Sequence, residues 1–579
     1  MKSKPRKILG LVTLAAFLAL TCCGRPVDLD CSTTKPRLVV LVVFDQMRGD
    51  YLTRWETLFT DKGFRRLMKD GAWFDNCHYP YAHSVTGPGH ASMLTGCSPD
   101  KHGIVGNEWF DRVTGKEVGC VSSNRYERVP PESKAGLKSD SSTDKWKSAS
   151  PEWLLTPTVA DVLKDATGGK GRVVSLSFKD RSAILPAGRH PDSCYWLDIR
   201  AGTFVTSTYY RDRLEPWVAD FNSRKPADQW FGHDWLRFRP DVDYAASSGP
   251  DDVKAEGVGI FQGRTFPHQL TGGNKKLSTL YYLALYNSPF GNELLLDLAK
   301  RAIDTLELGK KNDPDFLCLS FSCNDPIGHC WGPDSQEVLD VTLRSDQVLA
   351  ELLEYLDSKA GKNGYTLALS ADHGVGPLPE VSLQHGKQAG RVDPTVLSKD
   401  AEKFLERSFG KTGEEKTRWI VDAAYPWIYL NQELIQERGL EQAEVEDALV
   451  RWLKQQPGFL TAYGRTQILR GLPENDAVGA KVRRSFFVER SGDVEAVLKP
   501  YYLCTSKLTG THHGTPHDYD THVPLLVYGP GVVPGVHSEP VTPQAIAAIL
   551  SKALDAPAPE GAEAGLPEGL FGTLRQSAR

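Results

Sequence analysis

Four apolar runs punctuate this chain, and each is followed by a residue able to bind a metal or a phosphate. Leu38-Val-Val-Leu-Val-Val-Phe44 is continuous rather than alternating, the pattern of a parallel strand covered on both faces, and it gives way to Asp45. The pattern returns at residues 172–178 before Lys179, at 316–321 before Asp325, and at Tyr365–Ser370 before Asp372. Helical periodicity separates these runs at residues 158–166, 293–306 and 337–359. Together they predict an α/β fold with βαβ connections and a mostly parallel central sheet flanked by helices. A further strand is expected at 523–528, then Gly529-Pro-Gly531 and a helix over 543–554. In an open α/β sheet, functional groups gather beyond the carboxyl ends of the strands, so the four residues above are expected on one edge.

Two stretches break this rhythm. Residues of about 190–285 and 377–510 are rich in Trp, Tyr, Pro and Gly, with weak periodicity, and are too long to be bare loops. They read as cap-like insertions with structure of their own, set into one catalytic domain over 35–579. The segment from Ala556 to Gly565 reads as loosely ordered. At the front, Met-Lys-Ser-Lys-Pro-Arg-Lys precedes an apolar run from Ile8 to Leu20, the layout of a signal peptide over 1–22 and too short to span a membrane. Export to the periplasm or cell envelope is therefore expected. Leu20-Thr21-Cys22-Cys23 also resembles a lipoprotein processing site with Cys23 lipidated, so a lipid anchor and a soluble exported form both stay open. A net charge of −5 gives no nucleic-acid footprint, and any attraction for an anion must be local. Eleven cysteines in an exported chain permit disulfides, whose pairing spacing cannot assign.

Candidate chemistry concentrates in six side chains: Asp45, Asp325, His329, Asp372, His373 and His513. Three carboxylates and three imidazoles divide into two three-ligand sets, each leaving positions open as catalytic zinc requires. Asp325 and His329 stand four apart, as on one face of a helical turn, whereas adjacent Asp372 and His373 need an irregular loop to converge. His512, His517 and His522 compete with His513. Thr86 lies in His83-Ser-Val-Thr-Gly-Pro-Gly-His90, a stretch able to open a helix whose free N–H groups favour a phosphoryl group. It reads either as a metal-activated nucleophile or as a plain helix N-cap. Lys179 and Arg181, two apart on a segment read as extended, would face one phosphoryl group together.

Seven segments, among them Asp45-Gln-Met-Arg-Gly-Asp-Tyr, Ser84-Val-Thr-Gly-Pro-Gly-His-Ala-Ser-Met-Leu-Thr-Gly, Gly106-Asn-Glu-Trp, Lys179-Asp-Arg181, Asp325-Pro-Ile-Gly-His329, Ala371-Asp-His-Gly-Val and His513-Gly-Thr-Pro-His-Asp-Tyr-Asp520, occur in order. Together they resemble the alkaline phosphatase superfamily, specifically its bacterial phosphate-insensitive phosphomonoesterases with a threonine nucleophile. The resemblance implies two Zn2+, about 4 Å apart. Asp45, Asp372 and His373 would hold the ion beside Thr86, and Asp325, His329 and His513 the other. Asn107, Lys179 and Arg181 would contact the phosphoryl group of small-molecule phosphate monoesters, hydrolysed at alkaline pH through a phosphothreonine. His513 is preferred over its neighbours because it begins the family's His-Gly…Tyr-Asp pattern.

Three alternatives remain. Phosphodiesterases and nucleotide pyrophosphatases of the same superfamily share the ligands, Thr and Asn, but resemble this chain less at Lys179-Asp-Arg181. Sulfatases use Cys/Ser-x-Pro-x-Arg, where this chain has Thr86-Gly-Pro88-Gly-His90. A non-catalytic exported binding protein is the third.

Overall fold

The computed structural model describes residues 35–131, 148–412 and 417–572. The expected signal peptide and Cys23 lie outside them. At the centre is strand Leu38–Phe44, fully buried and hydrogen-bonded in parallel to Asp315–Phe321 on one side and Tyr365–Ser370 on the other. Val173–Ser177 and Ser193–Asp198 extend the parallel array beyond Asp315–Phe321. β-Branched and leucine side chains suit this position because both faces are covered and each strand contributes buried apolar area on both sides.

Antiparallel strands close both flanks, which sequence periodicity alone does not reveal. Leu525–Tyr528 runs against Tyr365–Ser370 and is followed by Ala72–Phe74 and Gly535–His537, while Thr203–Ser207 and Arg128–Val129 finish the other side of the ten-stranded sheet. Residues 190–285 therefore begin with two strands of the sheet itself before leaving it. The segment 377–510 carries a separate four-stranded sheet, in the order Ile420–Ala424, Trp427–Leu430, Val494–Leu498, Phe459–Gly464. Helices Pro394–Phe409 and Gln442–Leu453 cover it around an apolar core of its own. Trp427 and Tyr429 of that sheet also pack with Trp109 and Val118, which seats it beside the carboxyl edge of the main sheet.

The segment from Ala556 to Gly565 is anchored rather than loose. Glu563 N–H donates to Gly96 O at 2.7 Å, and its carboxylate meets Lys101 at 3.0 Å and the Ser98 hydroxyl at 2.9 Å. Its Pro and Ala content suits an extended strap tied by a few polar contacts, which composition cannot distinguish from a free tail. All eight cysteines among the described residues are free thiols, so the disulfides that composition permitted are absent there.

Candidate active site

The register of the three central strands decides the site. Phe44 pairs with Phe321, and Val43 with both Ser320 and Ser370, so the chain leaves the sheet at one level in all three places. Asp45 follows directly on the first strand. Asp325 and His329 sit on helix Asn324–Trp331 after the second, and Asp372 and His373 on an irregular loop after the third. His513 arrives from the segment beyond the cap. The side chains form two groups whose ligand atoms lie within 4.8 Å of one another, Asp45 with Asp372 and His373, and Asp325 with His329 and His513.

The three imidazoles are oriented alike. His373 Nδ1 lies 2.9 Å from Gly374 O, His329 Nδ1 2.8 Å from Thr511 O and His513 Nδ1 3.1 Å from Ser84 O. A carbonyl only accepts, so each Nδ1 carries the proton and each Nε2 points inward, the arrangement of metal-ligating histidines. His329 Nε2 lies 3.2 Å from Asp325 Oδ1, which raises His329 above its ordinary value against the effect of burial. Burial lowers His373 to about 4 and holds His513 well below its ordinary value, which keeps both neutral. Two of the neighbouring histidines are committed elsewhere, His517 Nε2 to Leu498 O at 2.9 Å and His522 Nε2 to Asp75 O at 3.0 Å, while His512 packs on the His329 ring with centroids 4.8 Å apart and falls outside both ligand sets.

The carboxylates show the complementary signature. Asp45 Oδ1 and Asp372 Oδ2 are buried without a hydrogen-bond partner, while Asp45 Oδ2 is ion-paired with the Lys179 ammonium at 2.7 Å. Burial, reinforced by Asp372, pushes Asp45 up to about 8, and burial pushes Asp372 up to about 6. Asp325, buried too, is nevertheless held well below the carboxylate range by Lys179 and His329. In the Asp45 set, orphaned carboxylate oxygens beside the His373 Nε2 lone pair are unfavourable without a cation, and Asp325, His329 and His513 gather a second set of oxygen and nitrogen donors, so these residues fit two divalent ions.

Thr86 lies at the seam between the sets, with Oγ1 3.3 Å from His373 Nε2 and 3.4 Å from Lys179 Nζ. It is the first residue of helix Thr86–Thr95. Val85 is the N-cap and no side chain caps the helix, which removes the reading of Thr86 as a cap. Gly89 lets this helix approach closely, since a Cβ there would stand 2.2 Å from Asp372 O. Asn107 Oδ1 accepts from Gly87 N–H at 2.7 Å, leaving the amide NH2 of Asn107 as the free donor.

Lys179 and Arg181 do not share an extended segment, because the chain turns helical at Asp180, which opens helix Asp180–Ala187. Strand alternation therefore does not govern where they point. Lys179 Nζ bridges one carboxylate of each set, Asp45 Oδ2 at 2.7 Å and Asp325 Oδ2 at 2.8 Å. Arg181 is 3.8 Å from Asp180 and retains an Nε without a hydrogen-bond partner.

Gln46 is the functional residue that motif reading passes over. Its backbone N–H donates to Asp372 Oδ1 at 3.1 Å and its side-chain Nε2 to Asp325 Oδ1 at 2.7 Å, so one residue ties both sets. It holds a left-handed φ of 66° to do so, a strained conformation for a non-glycine residue. Gly328 makes the space, because a Cβ there would stand 1.8 Å from Gln46 Oε1.

Comparison with known proteins agrees with this architecture. A profile of the type I phosphodiesterase / nucleotide pyrophosphatase family matches residues 39–520. The chain belongs to that family, within the alkaline phosphatase superfamily. Among its relatives, alkaline phosphatase PafA of Elizabethkingia meningoseptica is 35% identical over 91% of this chain and 93% of its own length. A Myroides odoratus protein named calcium-transporting ATPase is 35% identical over 86% and 88%. The crystal structure of wild-type alkaline phosphatase PafA superposes with a TM-score of 0.85 at 33% identity, covering 93% of this chain and all of the other. On these likenesses the chain is an enzyme of the alkaline phosphatase type.

Proposed function

We propose that this protein hydrolyses phosphate monoesters at alkaline pH through a phosphothreonine at Thr86, with two zinc ions held by Asp45, Asp372 and His373 and by Asp325, His329 and His513. The observation that carries the reading is the Thr86 hydroxyl, 1% exposed, at the junction of two carboxylate–imidazole sets. When bound, the ions supply charge that favours the ionised hydroxyl and the departing alcohol oxygen. Thr86 Oγ1 forms a bond to phosphorus while the ester P–O bond breaks in line, and water then cleaves the phosphothreonine, so configuration at phosphorus is retained. Asn107 donates from its free amide to a nonbridging oxygen. Lys179 and the uncommitted Nε of Arg181 supply positive charge suited to the dianion of a monoester. Breadth toward the alcohol portion is part of the proposal, as is export, which the basic and apolar order of residues 1–22 supports.

Metal analysis of the purified protein, with a matched set of mono-, di- and sulfate esters, tests this. Thr86→Ala is expected to abolish monoester turnover while keeping bound metal. Diester preference in the wild type would move the assignment to phosphodiesterase, and absence of both zinc and turnover would favour the binding protein.

A further inference from the structure

In front of Asn107, His329 and His513 opens a cavity of about 490 Å³. With the phosphoryl group held between Thr86 and Asn107, the alcohol portion of the ester must occupy this space, so a role for the cavity rests on the phosphatase reading. Its outer wall comes from two separate elements. The hairpin of Glu108–Asp111 and Lys116–Gly119 brings Glu108, Phe110 and Glu117, and the cap sheet brings Asp422, Tyr425 and Trp427.

Glu108 from the hairpin and Asp422 from the cap sheet both line this junction. Burial and the proximity of Glu117 push Glu108 upward, and burial and Glu117 push Asp422 upward. Arg181 offsets part of the charge on Glu108, but its guanidinium is also claimed by the phosphoryl group. Arg112, nearby, is taken by Asp493 at 2.9 Å and lies over Tyr429 at 5.0 Å.

His83 is an independent sign of the same preference. It lines the cavity at 8% exposure, edge-on to Trp427 with ring centroids 5.1 Å apart. Its Nδ1 lies 3.3 Å from Gly514 O and therefore carries the proton, leaving Nε2 as a lone pair without a protein partner. The Glu108 and Asp422 carboxylates, an imidazole acceptor and aromatic faces together attract a cation bearing or surrounded by weak donors, and repel an anion.

We infer that this cavity is a leaving-group subsite for alcohols carrying a positively charged amine, quaternary ammonium included, so that amino-alcohol phosphates are preferred over esters of neutral or anionic alcohols. The probe pair is phosphocholine and 3,3-dimethylbutyl phosphate, which differ by carbon in place of nitrogen at nearly constant shape. The zinc-loaded enzyme is expected to favour phosphocholine in kcat/KM by about tenfold, chiefly through KM, the size of a cation–π and carboxylate contact at a partly exposed site. That ratio is expected to fall toward one in Glu108→Gln/Asp422→Asn and, in the unaltered enzyme, between about 0.05 and about 0.5 M salt. A wild-type ratio of one or less, with both esters hydrolysed, overturns the subsite and leaves the phosphatase reading standing. A ratio insensitive to salt overturns the role of the carboxylates. Failure to turn over either ester and an aryl phosphate overturns both proposals.

Discussion

Gln46 shows how much a single side chain can be asked to hold. A left-handed backbone outside glycine costs on the order of 1 kcal/mol, and here the cost is offset by hydrogen bonds to Asp372 and Asp325. Gln46→Met keeps length and removes the side-chain donor. It is expected to weaken metal retention at the Asp325 set about tenfold, read by stepwise chelator competition. Retention equal to wild type would make Gln46 a bystander. For Arg181→Ala, monoester turnover should fall far more than diester turnover, because only the monoester presents a second negative charge; equal losses in a paired assay would count against its role. Lys179→Ala should disturb metal content as well, since its amine lies between Asp45 and Asp325. At this scale the sequence was uneven. The four-residue spacing of Asp325 and His329 announced a helical pair, whereas only the family's His-Gly…Tyr-Asp pattern set His513 apart from His517, whose separation in the structure depends on carbonyls delivered from remote segments.

Among elements, helix Thr86–Thr95 and the cap sheet make the sharpest demands. Gly89→Ala would ordinarily favour a helix, yet its new Cβ would meet Asp372 O at 2.2 Å. A loss of about 3 kcal/mol in denaturant unfolding is expected, with reduced metal binding; a neutral result would show that the loop yields freely. In the cap, Glu495 is buried beside Trp427, and burial pushes its carboxyl up to about 8. Its folded value exceeds the unfolded one of about 4.3, so the stability tied to its proton is complete below that value. That stability is lost as pH rises through about 8. Glu495→Gln should therefore flatten the decline in Tm between about pH 5 and about pH 9, and an unchanged slope would point to another group. Element identity was legible where a run was wholly apolar, as in Leu38–Phe44. It failed at Lys179–Arg181, because a helix start two residues past a strand leaves no apolar period to read.

For the whole molecule, the site is a property of closure. Its ligands come from three strand ends and a segment beyond the cap, positioned by pairings between residues hundreds apart in sequence. Removing metal should leave the orphaned carboxylates facing one another, so a chelator is expected to lower Tm by several degrees, with recovery on adding zinc. Zinc binding should also release more protons near pH 6 than near pH 9, because Asp45, pushed up to about 8, must first ionise. Calorimetry in buffers of different ionisation enthalpy measures this, and equal release would remove the shift from the account. The parallel centre of the sheet followed from the apolar runs, but its strand order, its antiparallel flanks and the tied-down segment at Glu563 did not, since they depend on partners that no local window contains.

The late arrival of His513 has a consequence for how the enzyme acquires its ions. A growing or translocating polypeptide has most of its length behind it before the second pocket can exist, and the first is framed only after residue 373 has paired beside residue 45. Nothing captured early could be kept selectively, because half-built sets bind divalent ions in the generic affinity order rather than by shape. Which element fills the catalyst is thus decided by the supply surrounding the chain at the moment folding finishes.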